Sequence, residues 1–217
     1  MKFSIELSQY SVETRKMMAK ETKDPEFLEI LVKDKDIKVV IEAIGNSEIK
    51  DNTVEELSKS ENVDVKCKVA KKTKISRKAI ERLSEDKNDG VRLSVAVTPY
   101  EEPHRDIVIK LCSDPSYYVR RGLTQDGLIA RGIQHNEEIL DILSNDTDWI
   151  VKKYVAKFTR DSEKLDKLRK DKNNSVRIEV IKNPATKRTT IKKMKDDPDP
   201  TCRWYALQIL TCGKISY

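Results

Sequence analysis

The chain has 217 residues, of which 37% are apolar and 37% charged, and its formal net charge is +6. Ordinary globular domains are roughly 45–50% apolar, so this composition favours an elongated fold that buries only local seams. Disorder is excluded because Leu, Ile and Val recur regularly from end to end. No apolar run approaches the roughly 18–20 residues that cross a bilayer, and the first ten residues lack signal-peptide features, so we expect no membrane partner.

Four cysteines occur in the chain, at Cys67, Cys112, Cys202 and Cys212. They form no CxxC pair and no metal-ligand spacing, and His104 and His135 stand alone. This pattern is typical of free thiols in a reducing, cytoplasmic compartment. We therefore expect no metal site and no cofactor.

The N-terminal segment, residues 1–23, contains no repeat. Residues 8–22 predict an amphipathic helix with Val12, Met17 and Met18 on its apolar side. We expect this helix to cap a repeat region that spans residues 24–210. Residues 211–217 are expected to form a short C-terminal tail.

Residues 24–210 contain one sequence template seven times. Each copy has an aliphatic residue, then Leu or Met three positions on, then Asp three further on, then an anchor residue after five more. The anchors are Val39, Val65, Val91, Val119, Val151, Val176 and Cys202. A second apolar residue follows each anchor by four positions, at Ala43, Val69, Val95, Leu123, Val155, Val180 and Ala206. Seven copies with the same spacing exclude accident.

Spacings of three and four residues place the apolar positions on one face of a helix, not of a strand. Each copy therefore predicts a first helix that ends near the Asp, a short turn, and a second helix that begins near the anchor. Two short helices cannot close a core alone, so they bury their apolar stripes against neighbouring copies. We expect fourteen helices in an all-α, right-handed α-solenoid (superhelix) of seven two-helix repeats.

The fourth and fifth anchors, Val119 and Val151, lie further apart than any other consecutive pair. The extra residues fall within 122–136, which contains three glycines. Insertions in solenoids are often binding sites, and a tolerated surface insertion is the alternative interpretation.

The second-helix sequences VRLSVAVTP (91–99) and VRIEVIKNPAT (176–186) resemble the leucine-rich repeat variant family, whose repeats read V-R-x-x-V-A-x-N-P-x-T. The Asp with a basic residue six positions later is similar to HEAT repeats. The resemblance covers roughly residues 24–210 and implies stacked helix pairs whose second helices line a concave surface. Three positions depart from it: Val40 replaces a basic residue, Ser60 an Asp, and Cys202 an anchor Val.

A row of basic residues follows the anchors, at Lys66, Arg92, Arg120, Lys152, Arg177 and Arg203. Such a row suits a phosphate backbone. However, all but the first lie six residues after an Asp, and resemblance to HEAT repeats implies that each binds a carboxylate in its own or the adjacent turn. We therefore expect a structural ladder of Asp and basic side chains.

The other outward positions of the second helices are the candidate binding residues. They predict a basic groove with aromatic side chains towards one end, formed by Lys68, Lys71, Arg121, Lys153, Tyr154, Lys157, Lys182, Trp204 and Tyr205. Aromatic residues and Arg dominate protein-binding hot spots, and aromatic platforms in basic grooves also bind nucleic acid. For Trp204 and Tyr205, packing beneath the C-terminal tail is the alternative.

Charge is uneven along the chain, with residues 101–150 acidic and residues 151–217 strongly basic. No Gly-rich phosphate loop, nucleophile elbow or HExxH motif occurs, so we expect no enzyme. The first hypothesis is a binding scaffold for an acidic protein partner, as an inhibitor or adaptor. The alternative is non-catalytic binding of DNA or RNA. HEAT-like alkylpurine DNA glycosylases catalyse with a concave Asp, where this chain has only Glu42 and Glu179.

Overall fold

Helix pairs make up the described part of the chain, which comprises residues 6–98, 104–124 and 137–212 of a computed structural model. Within these residues there are fifteen α-helices and no strand. A 3₁₀ turn (Leu7–Gln9) and α1 (Val12–Glu21) precede fourteen helices that alternate as first and second members of seven pairs. The fold is an all-α solenoid, and the fourteen expected helices are confirmed.

The chain divides into two bodies, residues 1–107 and 108–217. After α1, the N-terminal body contains α2 (Pro25–Leu31), α3 (Ile37–Gly45), α4 (Asp51–Leu57), α5 (Val63–Ala70), α6 (Arg77–Ser84) and α7 (Asp89–Val97). The division falls within α8 (Arg105–Cys112). The C-terminal body continues with α9 (Tyr117–Gly122), α10 (Glu137–Ser144), α11 (Trp149–Phe158), α12 (Ser162–Leu168), α13 (Asn174–Lys182), α14 (Arg188–Lys193), a 3₁₀ turn (Met194–Asp196) and α15 (Pro200–Cys212).

Each body has two helical layers. Second helices pack on one another in order, as α3 on α5 and α5 on α7 in the N-terminal body and α11 on α13 and α13 on α15 in the C-terminal body. First helices pack against the second helix of their own repeat. Helix α1 packs on α3, so it occupies the place of a second helix ahead of the first repeat.

The anchor residues form the core between the two layers. All seven anchors are at most 3% exposed. Burying a branched aliphatic side chain stabilises a fold by about 1.5–3 kcal/mol, so a small anchor in every repeat supplies the local seams on which a charged chain depends.

The turn inside each repeat is shaped by its Asp. In six repeats the carboxylate of this Asp accepts the backbone N–H two residues later, at 2.7–2.9 Å. That later residue is usually the N-cap of the second helix, where Asp36, Asn62, Asn88, Asp148 and Asn173 accept N–H groups of the first helical turn. Capping of this kind contributes about 1 kcal/mol for each helix.

The structure describes only part of two segments whose bounds the sequence predicted, the 211–217 tail and the 122–136 insertion. Helix α15 continues to Cys212, so Thr211 and Cys212 are helical, while residues 213–217 of the expected tail lie outside the described residues. Most of the expected 122–136 insertion, residues 125–136, also lies outside them. Among the described residues, no helix combines the length and apolar character needed to cross a bilayer.

Candidate functional site

The ladder of the C-terminal body connects consecutive repeats. Arg177 donates from Nε and Nη2 to the two carboxylate oxygens of Asp197 in the next turn, both at 2.8 Å. Its Nη1 donates to the backbone carbonyl of Asp171 in its own turn at 2.8 Å. Arg120 repeats this arrangement with Asp146 at 2.6 and 2.9 Å. The ion-paired rungs of this body are Arg120–Asp146, Lys152–Asp171 and Arg177–Asp197.

The N-terminal body has the same kind of rung. Lys66 Nζ lies 2.5 Å from an oxygen of Asp86. Arg15 of α1 donates from Nε and Nη2 to Asp34 at 2.7 and 3.1 Å. The sequence pattern missed Arg15 because residues 1–23 carry no recognisable template, although its side chain completes the first rung.

The ladder prediction is confirmed, and the structure decides which turn supplies the carboxylate. The carboxylate that binds each ion-paired basic head belongs to the following turn. For Arg120 and Arg177, the Asp of the same turn contributes its backbone carbonyl. This register explains two departures from the template together. Val40 and Ser60 are the two members of one rung, between the first and second repeats, so both charges are absent from the same place.

Three carboxylates of the ladder, those of Asp34, Asp86 and Asp197, have lowered pKa values. Burial raises the pKa of Asp197, but hydrogen bonds from Arg177 and from the backbone N–H of Asp199 outweigh it, so the pKa lies below its ordinary value. Burial is likewise outweighed at Asp34 and Asp86, and their pKa values are also lowered. The basic heads on these rungs are therefore neutralised within the protein.

Six of the sequence-predicted candidates lie on α11, α13 and α15, and we call this set the lysine–aromatic face. It comprises the candidates Lys153, Tyr154, Lys157, Lys182, Trp204 and Tyr205. Lys182 Nζ lies 4.4 Å from the ring centroid of Tyr205, and the rings of Trp204 and Tyr205 meet edge to face at 4.8 Å. These contacts bring residues of α13 and α15 together.

On α11 the face gains a residue that the sequence analysis did not select. The rings of Tyr154 and Phe158 are stacked with their centroids 6.4 Å apart, and Lys157 Nζ lies 5.2 Å from the Phe158 centroid. Phe158 follows the anchor by seven residues, and the helical repeat places that position beside the third one, which is a signal that could have identified it.

The lysines of this face lack carboxylate partners. Among the described residues, no Asp or Glu side chain lies within ion-pair distance of Lys153, Lys157 or Lys182. Trp204 is 51% exposed, so no described residue covers most of its indole. Within the described residues, these lysines are therefore without carboxylate partners and lie on the same helices as one exposed indole, Trp204, and three half-buried rings.

Arg121 was a candidate for the same groove, but its head is already bound. Nε and Nη2 donate to the carboxylate of Asp148 at 2.7–3.1 Å, and the guanidinium lies 4.6 Å from the Tyr117 ring centroid. The Tyr117 and Tyr118 rings, which the sequence did not indicate, lie 4.1 Å apart. Arg121 is thus ion-paired within the protein, unlike the three lysines.

The two remaining candidates, Lys68 and Lys71, lie in the N-terminal body. Lys71 is exposed at the C-terminal end of α5, whereas Lys68 lies against Gly45 of the preceding second helix. The neighbouring Lys72 donates to the backbone carbonyls of Ile44 and Asn46, and burial and the charge of Lys68 lower its pKa.

The described residues hold no metal cluster, and two of the four cysteines are poorly suited to act as nucleophiles. No group of three or more His, Cys, Asp or Glu side chains in the described ranges is placed to hold a metal ion. Burial raises the pKa of the Cys112 and Cys202 thiols to about 12, so at neutral pH neither provides a thiolate.

Comparisons with known proteins support the fold and leave the function open. No family model matches this sequence, and no curated protein matches it. A solved structure described as "a leucine-rich repeat variant with a novel repetitive protein structural motif" is similar over 93% of this chain and 77% of that one, with a TM-score of 0.73 and 19% identity. This likeness shows a helical-repeat fold, and the specific likeness to HEAT repeats stays a prediction.

A computationally designed armadillo repeat protein for modular peptide recognition aligns with 91% of this chain and 89% of its own, at 12% identity. Its TM-score of 0.21 is too low to indicate a shared fold.

Proposed function

We propose that this chain is a non-enzymatic, cytoplasmic binding scaffold whose lysine–aromatic face captures an acidic segment of a partner protein. The supporting observation is the contrast in pairing among basic side chains of the C-terminal body. Arg120, Lys152 and Arg177 are held by carboxylates. Lys153, Lys157 and Lys182 have none among the described residues, so their charge is available to a partner.

The aromatic rings beside these lysines favour a protein partner. Tyr and Trp supply large, rigid contact areas and are enriched in binding hot spots. The Tyr205 ring lies beside Lys182 and contacts the Trp204 ring. On α11, the Phe158 ring lies beside both Lys157 and the Tyr154 ring. An acidic segment with apolar or aromatic residues would place carboxylates on the ammonium groups and side chains on the rings.

Binding of DNA or RNA is the second candidate, and two observations count against it. Phosphate contacts use free cations, and the ion-paired rungs of the ladder do not supply them. Glu179 of α13 also belongs to the outward positions between α11 and α15, so an acidic side chain interrupts the face. The uncovered rings beside lysines are the feature that keeps single-stranded nucleic acid a candidate.

The test reverses two charges on the face. The double variant Lys153→Glu, Lys157→Glu is compared with Lys192→Glu, Lys195→Glu, which makes the same charge change at exposed positions of α14 and the following 3₁₀ turn. An acidic peptide containing aromatic residues is selected from a displayed library on the wild-type protein. Its affinity, measured by fluorescence anisotropy, should fall about tenfold or more in the first variant and change little in the control.

Both variants should keep their stability within about 0.5 kcal/mol of wild type, because the substituted side chains are surface groups. Unchanged affinity in the folded Lys153, Lys157 variant would contradict the proposal and direct attention to residues 122–136. A single-stranded oligonucleotide serves as the second probe. Tighter binding of this oligonucleotide than of the peptide, with affinity that falls steeply with salt, would favour nucleic acid instead.

A further inference from the structure

In the seventh repeat, the ladder residue Arg203 uses only one nitrogen of its guanidinium for hydrogen bonds with the described residues. Arg203 of α15 donates from Nη1 to the backbone carbonyls of Asp197 and Pro198, at 2.7 and 3.0 Å. Among the described residues, no acceptor lies within hydrogen-bond distance of its Nε or Nη2.

The earlier arginines show what these two donors are placed to bind. Arg120 and Arg177 make the same Nη1 contact with their own turns, and each uses Nε and Nη2 to bind both oxygens of the next Asp. Because the Nη1 contact already orients Arg203, its remaining edge is preorganised for a carboxylate.

An exposed apolar side chain lies on the same helix as Arg203. Five residues after the anchor, Ile44, Ala70, Ala156 and Ile181 are at most 1% exposed, and all lie in second helices that pack on the following second helix. The equivalent residue of the last repeat, Leu207, is 49% exposed. Arg203, Leu207 and Leu210 are spaced as one stripe of a helix, which we call the terminal face.

We propose that the terminal face binds an amphipathic helical segment of a partner protein. The partner places an Asp or Glu carboxylate on Nε and Nη2 of Arg203 and an apolar side chain on Leu207. This site is separate from the lysine–aromatic face, and it stands whether or not the proposed function is correct.

A second copy of this chain is a poorer occupant. The first Asp of the ladder, Asp34, is already bound by Arg15. The acidic side chain in the segment before α1, Glu6, accepts a hydrogen bond from Gln9. The N-terminal end of one copy therefore offers no free ladder carboxylate to the terminal face of another.

The probe is a copy of the chain's own last repeat, residues 185–212, joined to the C-terminus of the full chain by a flexible linker. The tether gives the copy an effective concentration of about millimolar. Even weak docking of the copy on α15 should then raise the urea concentration at which the chain is half unfolded. The matched probe carries Asp197→Asn in the tethered copy alone. We expect the Asp copy to dock about tenfold or more tightly than the Asn copy.

Three variants of the full chain identify the residues responsible. Arg203→Gln should remove the difference between the Asp and Asn copies, and Arg203→Lys should restore only part of it, since Lys lacks the paired donors. Leu207→Ser should weaken docking of both copies. Lys192→Gln, on an exposed position of α14, is the control and should leave docking unchanged.

Equal docking of the two copies, or none by either, would overturn the proposal. Dimers of the untethered chain that Arg203→Gln dissociates, seen by sedimentation, would replace the partner with a second copy. A chain that ends at Cys212 and docks the probe far more tightly than the full chain would assign the site to residues 213–217 instead.

Discussion

Two rows of basic side chains follow the same second helices of the C-terminal body, and they differ in what they bind. Lys152 and Lys153 are neighbours in sequence, yet Lys152 is ion-paired with Asp171, whereas Lys153 has no carboxylate partner among the described residues. The first row joins repeats to each other, and the second remains available to other molecules. Positive charge alone therefore does not distinguish a structural row from a binding surface, but pairing does.

The physical reason is the direction of each position on the helix. The residue directly after the anchor points towards the turn of the following repeat, and its side chain reaches the Asp of that turn. Arg177 in this position is 7% exposed, and a charge so buried is tolerated only with a partner. Lys153 and Lys157, two and six positions after their anchor, have no carboxylate within ion-pair distance among the described residues. Position alone does not decide this, because Arg121, also two positions after its anchor, is bound to Asp148.

The largest expected effect comes from removing a buried rung. Arg177→Ala leaves the carboxylate of Asp197 buried without its partner, so the free energy of unfolding should fall by about 3–5 kcal/mol. Lys182→Ala, on the same helix, removes only a contact with the Tyr205 ring and should cost about 1 kcal/mol or less. Urea unfolding measures both, and similar losses would erase the distinction between the two rows.

The next effect concerns acid. The pKa values of Asp34, Asp86 and Asp197 are lowered from an ordinary value of 3.8. A carboxyl with a lower pKa in the folded state stabilises the fold above its unfolded pKa, and this stability is lost as the pH falls through the folded pKa. Thermal unfolding should therefore show a loss of stability below about pH 4 that is smaller in Asp197→Asn. The same loss in both proteins would contradict the assignment.

The smallest effect separates two adjacent residues. Lys152→Met leaves Asp171 largely buried without its ion-pair partner and should destabilise the fold by about 1–3 kcal/mol. Lys153→Met should change the free energy of unfolding by less than about 0.5 kcal/mol. Because both variants remove one lysine and add the same side chain, unfolding measured side by side tests pairing alone. An equal response would show that Lys153 also has a structural role.

Much of the fold was predictable from spacing. The anchors, the helix pairs and the ladder all follow from positions that recur within each repeat. The ladder's register did not, because a recurring Asp and a recurring basic residue are equally consistent with pairing inside a turn and between turns. Val40 and Ser60 could have indicated the register. A pairing between consecutive repeats places these two positions in the same rung, which explains why both charges are missing together.

The candidate site was predictable in part. Outward positions on the second helices follow from helical periodicity, and these include the three unpaired lysines. The pairing of Arg121 with Asp148, 27 residues further along the chain, was not predictable. It forms only because two helices become neighbours. The ring contacts of Phe158 and the uncovered edge of Arg203 likewise depend on which side chains the packed helices bring together.

The repeat, its helices and the buried anchors follow from the sequence alone, because each depends on residues three to eight positions apart, within reach of a local helical pattern. Which basic residues are neutralised, and which have no carboxylate partner among the described residues, depends on how the helices pack. The partners of the ladder lie 19 to 26 residues along the chain, and they meet only after consecutive repeats have stacked. Packing likewise leaves Leu207 of α15 49% exposed, whereas Ile181, its equivalent in α13, is buried.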